Sequence, residues 1–196
     1  MLLESVSQPP GGPLMIADAI GLKYDRMFDM LDVDLNGVLE EQDFITLARS
    51  IAQATGVGLE SAKGATLVLE RQRCWALLLE HADANGDGQI DRDEFHRAMS
   101  GAFGDPSLLE RNLRDGLHAE FAAIDADDDG VATIDQMTSF LTAWGLEHEV
   151  AAASATSLDQ NGDGWITREE YVAGWSDFLL EEDTEAPGST LLGAVA

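Results

Sequence analysis

The stretch Asp83–Glu94, DANGDGQIDRDE, decides how this chain is read. Acidic or amide side chains stand at its positions 1, 3 and 5 (Asp83, Asn85, Asp87), glycine at position 6 (Gly88) and glutamate at position 12 (Glu94). Oxygen donors alternating along a turn, with no histidine or cysteine among them, suit a hard cation such as Ca²⁺ or Mg²⁺. So many carboxylates in one tight loop repel one another unless a cation compensates them. The glycine has no Cβ and permits the sharp turn that such a loop needs.

The same spacing recurs at Asp32–Asp43 (DVDLNGVLEEQD), Asp125–Gln136 (DADDDGVATIDQ) and Asp159–Glu170 (DQNGDGWITREE). These four windows hold 19 of the chain's 37 acidic residues and only two of its 11 basic ones, Arg92 and Arg168. The net charge of -26 therefore sits largely in four clusters, not in a terminal tail or along a solvated helix face. They read as four EF-hand loops. In such a loop position 7 gives its backbone carbonyl and position 12 a bidentate carboxylate.

Loop 2 offers Asp83, Asn85, Asp87, the Gln89 carbonyl and Glu94, and loop 4 offers Asp159, Asn161, Asp163, the Trp165 carbonyl and Glu170. Loop 1 offers Asp32, Asp34, Asn36 and the Val38 carbonyl but closes with Asp43, one methylene shorter than glutamate. A six-coordinate site, more tolerant of competing Mg²⁺, is expected there, with Glu40 at position 9 compensating directly or through water. Loop 3 keeps Asp125, Asp127 and Asp129, yet Gln136 at position 12 brings one neutral oxygen. It is expected to act as a structural partner for loop 4, which leaves about three Ca²⁺ ions for the chain. Position 8 (Leu39, Ile90, Ala132, Ile166) is expected to pair the loops through short β-bridges.

Apolar residues at helical spacing flank each loop. Phe28 and Leu31 enter loop 1, and Phe44, Leu47 and Ile51 leave it. Leu78 precedes loop 2 and Phe95 follows it, Phe121 and Phe140 bracket loop 3, and Leu158 and Tyr171 bracket loop 4. The expected fold is all-α, with four helix-loop-helix units in two paired lobes forming one compact globule. The loop starts lie 51, 42 and 34 residues apart, so the first step leaves room for a long helix over 59–82. Gly101, Gly104 and Pro106 mark a lobe boundary. This gives a flexible segment at 1–13, where SQPPGGP cannot be helical, an N-terminal pair at 14–103, a C-terminal pair at 104–180 and a tail at 181–196.

With a pI near 4.1 the chain cannot assemble the basic face that nucleic acid or an anionic membrane requires. No apolar run approaches the roughly 18 residues of a membrane span. The single cysteine, Cys74, excludes an internal disulfide and reads as a buried structural thiol. No signal peptide is visible, and a cytoplasmic monomer is expected. His81, His96, His118 and His148 share no ligand spacing. No nucleophile–base arrangement or phosphate-cradling loop stands out, so no enzyme is expected.

Beyond the EF-hand motif, the chain resembles the sarcoplasmic calcium-binding protein and calerythrin family from about Leu14 onward. The resemblance rests on the first loop ending in Asp43–Phe44, the long step between loops 1 and 2, and the ending EEDTEAPGSTLLGAVA. It implies two lobes packed face to face and a Ca²⁺ buffer or transport role. Two features depart from the family. Its calerythrin branch usually carries a degenerate second loop, whereas here the third is damaged. The tail's usual aromatic residues are leucines here (Leu191, Leu192), which weakens the expectation of a tucked-in tail. Nine arginines against two lysines point weakly to the bacterial branch. The alternatives are a sensor that opens an apolar groove to a partner helix and, as in some compact relatives, a small-molecule carrier. Trp75, Trp144, Trp165 and Trp175 are the candidates to line its cavity. Only six methionines are available for a sensor's adaptable groove.

Overall fold

The computed structural model describes residues 16–101, 106–180 and 191–193. The segment expected to be flexible (1–13), Gly104 and most of the tail lie outside the described residues. The first pair comprises α1 (Ile16–Leu31), β1 (Val38–Leu39), α2 (Glu41–Thr55), α3 (Ala62–Ala82), β2 (Ile90–Asp91) and α4 (Arg92–Ser100). The second comprises α5 (Pro106–Ile124), β3 (Val131–Thr133), α6 (Ile134–Ala143), α7 (His148–Leu158), β4 (Trp165–Thr167) and α8 (Arg168–Leu180). Proline opens α5 where its missing N–H costs nothing.

Each pair is joined by a two-stranded antiparallel bridge. Leu39 pairs with Ile90 and Ala132 with Ile166, all four fully buried, so position 8 does face position 8 across both pairs. Ala132 keeps this register although it is small, and Ile134 goes on to begin α6.

The apolar stripes meet in one core. Phe28 packs edge-on against Phe95 at 5.7 Å between centroids, and Phe121 and Phe140 lie 5.9 and 5.8 Å from Tyr171. The two pairs also pack on each other through α3 against α5 and α2 against α6. That is the face-to-face globule the resemblance implied. Contrary to the weakened expectation for the tail, Leu191 and Leu192 are completely buried. Arg26 of α1 donates from Nε to the Leu192 carbonyl, and Gly193 lies close to Arg26 and Val150. Leucine is apolar enough to seal this seam between α1 and α7.

The long helix between loops 1 and 2 starts at Ala62, three residues later than expected. Ser61 is its N-cap, accepting from the Gly64 N–H at 3.1 Å and donating to the Gly58 carbonyl at 2.6 Å. The cap wins over apolar spacing because it satisfies a donor that the first turn otherwise leaves unpaired.

Candidate metal centre

Within each loop the position-1 carboxylate gathers backbone N–H groups and fixes the turn. Asp32 accepts from Asn36 N and Gly37 N at 3.0 and 2.9 Å, and Asp83 accepts from Gly86 N and Gly88 N at 2.7 and 3.0 Å. Asp125 accepts from Asp129 N and Gly130 N at 3.1 Å each, and Asp159 accepts from Gly162 N and Gly164 N at 2.9 Å each. Position 5 repeats the device further along, with Asn36, Asp87, Asp129 and Asp163 each accepting from the backbone N–H of position 7. These bonds hold the loop open around a centre and leave the remaining lone pairs of the oxygens for an ion.

Position 12 serves the loop and the next helix together. Glu94 Oε2 accepts from Asp91 N at 3.2 Å, and the Asp91 carboxylate accepts from Glu94 N at 2.8 Å, a capping box at the start of α4. Gln136 with Thr133 and Glu170 with Thr167 do the same for α6 and α8. In loop 1, Asp43 Oδ2 accepts from Glu40 N at 2.8 Å. Glu94 reaches further, its Oε1 accepting from Ala84 N at 3.1 Å and Asn85 N at 3.3 Å, so it ties the end of loop 2 to its beginning.

Charge and burial show what these sites suit. Asp32, Asp43, Glu94 and Asp125 are carboxylates buried to 5% exposure or less. Donor oxygens of Asp32, Asp34 and Asp43 lie within 4.8 Å of one another, as do those of Asp125, Asp127 and Asp129. Ligand oxygens about 2.3–2.6 Å from one Ca²⁺ ion stand within about 5 Å of each other across it, so both clusters suit that size. Burial, and then the neighbouring Asp34 and Asp32 carboxylates, hold the Asp43 carboxyl above its ordinary range, against the pull of the Glu40 and Val33 N–H groups. The oxygen-only donor set therefore fits a hard divalent cation.

Residues 23–100 match the family described as an EF-hand domain pair. Calerythrin of Saccharopolyspora erythraea is 29% identical over 159 residues, covering 80% of this chain and 89% of that protein. The sarcoplasmic calcium-binding protein alpha chain of Penaeus vannamei is 28% identical over 176 residues, covering 84% and 89%. A Streptomyces coelicolor calcium-binding protein, solved in a study of prokaryotic calcium-mediated regulation, superposes with a TM-score of 0.74 at 29% identity, covering 84% of this chain and 98% of that one. The amphioxus sarcoplasmic calcium-binding protein shares the fold, with a TM-score of 0.71 at 17% identity, covering 90% and 97%. Over most of its length the chain is similar to calcium-binding proteins of the calerythrin and sarcoplasmic calcium-binding protein type, and residues 23–100 match an EF-hand pair. The relatives matched over most of their length are calcium-binding proteins.

Three features of these sites go beyond the sequence reading. Glu40 is turned across the pair, where its carboxylate accepts from the Gln89 amide of loop 2, so it couples the loops where a ninth-position ligand of loop 1 was expected. Lys63 of α3 reaches loop 3, with Nζ 2.8 Å from Asp128 Oδ1 and 2.6 Å from the Asp125 carbonyl. Leu35 and Asp128 hold the left-handed conformation (φ 59 and 62) that glycine holds at the same position of loops 2 and 4. Such strain costs about 1–2 kcal/mol per residue, so loops 1 and 3 are also the less relaxed turns. Among the tryptophans, Trp144 and Trp175 are among the residues lining a partly open cavity, Trp75 packs in the core 5.5 Å from Phe44, and Trp165 is 45% exposed on loop 4.

Proposed function

We propose that this protein is a cytoplasmic Ca²⁺ buffer that binds through loops 1, 2 and 4, with loop 3 kept as a structural partner. The observation that carries the reading is the packing of the two lobes on each other. Phe44, Phe95, Phe140 and Tyr171, one from each helix leaving a loop, are all buried in a single core. An open groove would require that core to part, whereas a buffer exchanges ions inside a closed body. The ligands are Asp32, Asp34, Asn36, the Val38 carbonyl and Asp43 in loop 1; Asp83, Asn85, Asp87, the Gln89 carbonyl and Glu94 in loop 2; and Asp159, Asn161, Asp163, the Trp165 carbonyl and Glu170 in loop 4. Mg²⁺ competes most at loop 1, where Asp43 is the shorter closing ligand. A monomer in the cytoplasm is part of the proposal, and the free thiol of Cys74 accords with a reducing compartment. Among the described residues no helix is long and apolar enough to cross a membrane.

Loop 3 explains the proposed stoichiometry. Gln136 caps α6 as well as a glutamate would, since Thr133 N needs only one acceptor, but its amide cannot give an ion two charged oxygens. Calorimetric titration of the unmodified protein should count about three Ca²⁺ ions, with about four in Gln136→Glu and two in Glu94→Gln. Four ions in the unmodified protein would contradict the assignment of loop 3.

A sensor is the second reading, favoured by the calcium-mediated regulation described for the Streptomyces coelicolor relative. It requires Ca²⁺ to separate the lobes enough to seat a partner helix.

A further inference from the structure

Loop 3 carries five carboxylates between Asp125 and Asp135 and closes with the neutral Gln136. Its first carboxylate still folds the turn as in the other loops, accepting from the N–H groups of Asp129 and Gly130. A basic side chain from the other pair stands against it. The Lys63 ammonium of α3 donates to the Asp125 carbonyl at 2.6 Å and to the Ala126 carbonyl at 3.3 Å, and lies 2.8 Å from Asp128 Oδ1. Three acceptors thus meet its three N–H groups.

Lys63 gains nothing from its own helix. It sits in the first turn of α3, where the positive end of the helix dipole disfavours a cation. The carbonyls it meets directly follow α5, which ends at Ile124, and so stand at that helix's negative end. The turn that carries it is fixed by the Ser61 cap and by the close approach of Gly64 to the Gly58 carbonyl. Asp128 is 76% exposed, so the ion pair with it contributes little by itself. The bonds to the carbonyls are better shielded, with the Lys63 side chain 22% exposed and Asp125 buried, and charge-assisted bonds there are the stronger part. Arg92, by contrast, belongs to loop 2 yet pairs with Asp25 and Asp29 of α1. Loop 3 is in turn tied to loop 4. Val131, Ala132 and Thr133 pair with Thr167, Ile166 and Trp165, and Trp165 is the seventh residue of loop 4.

We propose that Lys63 is the built-in cation of loop 3, holding that loop in its paired form without a metal ion and so pre-arranging loop 4 to take Ca²⁺. The inference rests on the reading of loop 3 as a structural partner. Carboxylates crowded into one loop repel one another, and an ammonium on the same chain is present at a high effective concentration at all times. Its charge cannot be exchanged for Mg²⁺ or removed by a chelator. With loop 3 held, β3 keeps its register against β4, less ordering accompanies ion binding at loop 4, and the affinity there is higher. Lys63 is therefore a positioning residue for loop 4, acting from the other pair, and not an ion ligand.

The test compares two variants of the full chain, Lys63→Met, which keeps an unbranched stem without the charge, and Lys63→Arg, which keeps the charge. In chelator, amide hydrogen exchange followed by NMR should find the Asp129 and Gly130 N–H groups of Lys63→Met exchanging about tenfold or more faster, the factor expected from one charge-assisted hydrogen bond. The Gly37 N–H of loop 1 should exchange as before. In calcium-buffered titrations the Trp165 emission change of Lys63→Met should require several-fold more Ca²⁺. Lys63→Arg should follow the unmodified protein in both measurements. Unchanged exchange at Asp129 and Gly130 in Lys63→Met, an unchanged Trp165 midpoint, or Met and Arg variants that behave alike would each overturn the proposal. The calorimetric ion count separates the two levels. Three ions with an unresponsive Gly130 would overturn this inference alone, whereas four ions in the unmodified protein would overturn the reading of loop 3 and this inference with it.

Discussion

At position 12 the side chain caps a helix and, in the proposed sites, must also close around an ion, and the four loops meet the two demands unequally. Asp43 shows the cost most directly. Its carboxyl is held above the ordinary value of 3.8, chiefly by burial and then by Asp34 and Asp32. The folded, metal-free chain therefore keeps this proton to higher pH than the unfolded chain does. Its contribution is most favourable below that ordinary value and is lost as pH rises through the raised one. Asp43→Asn removes the charge but keeps an acceptor for Glu40 N. Thermal melts in chelator should find it more stable than the parent at pH 7, with the difference closing toward pH 4, while it binds one Ca²⁺ fewer. These position-12 residues were legible from spacing alone. The second partners of Glu40 and Lys63 were not, because one joins the two loops of the first pair and the other joins the two pairs, and no local pattern encodes either contact.

At the scale of elements, helix starts follow caps more closely than apolar periodicity. The third helix begins at Ser61–Ala62 and not at Leu59, and the turn before it is close-packed. A Cβ on Gly64 would stand 2.3 Å from the Gly58 carbonyl oxygen and 2.8 Å from the Leu59 Cα, both backbone atoms that cannot swing aside. Gly64→Ala, normally a helix-stabilising change, should instead destabilise the chain by about 1–3 kcal/mol in urea unfolding. Paired strands were foreseeable because position 8 is apolar in each loop. The exact register of Ala132 opposite Ile166 confirms that loop geometry, not side-chain size, sets it.

At the scale of the molecule, a buried ionic link holds the lobes together: Arg71 from the first, with Glu120 and Tyr171 from the second. The sequence did carry a signal for it. Arg71 falls at helical spacing between Leu67 and Leu78, and Glu120 between Leu117 and Ile124, charged residues on otherwise apolar faces. Their pairing was not readable, since it joins positions 49 residues apart on different helices. Removing one member leaves a buried charge without its partner, so Glu120→Gln should cost about 3–5 kcal/mol of stability by urea unfolding. The tucked Leu191 and Leu192 were misjudged for a related reason, because an aliphatic pair can fill a seam whose shape only the folded lobes define.

The central claim is that Ca²⁺ exchanges inside a body that stays closed. The direct measurement is a Ca²⁺ titration in about 1 mM Mg²⁺, a competitor at such sites, following Trp165 emission beside the fluorescence of an apolar dye. The closed body predicts a Trp165 change, from the exposed indole on loop 4, with a dye signal that does not respond to Ca²⁺. A dye signal rising with Ca²⁺ would mean that the lobes part and a groove opens, and the buffer reading would fall.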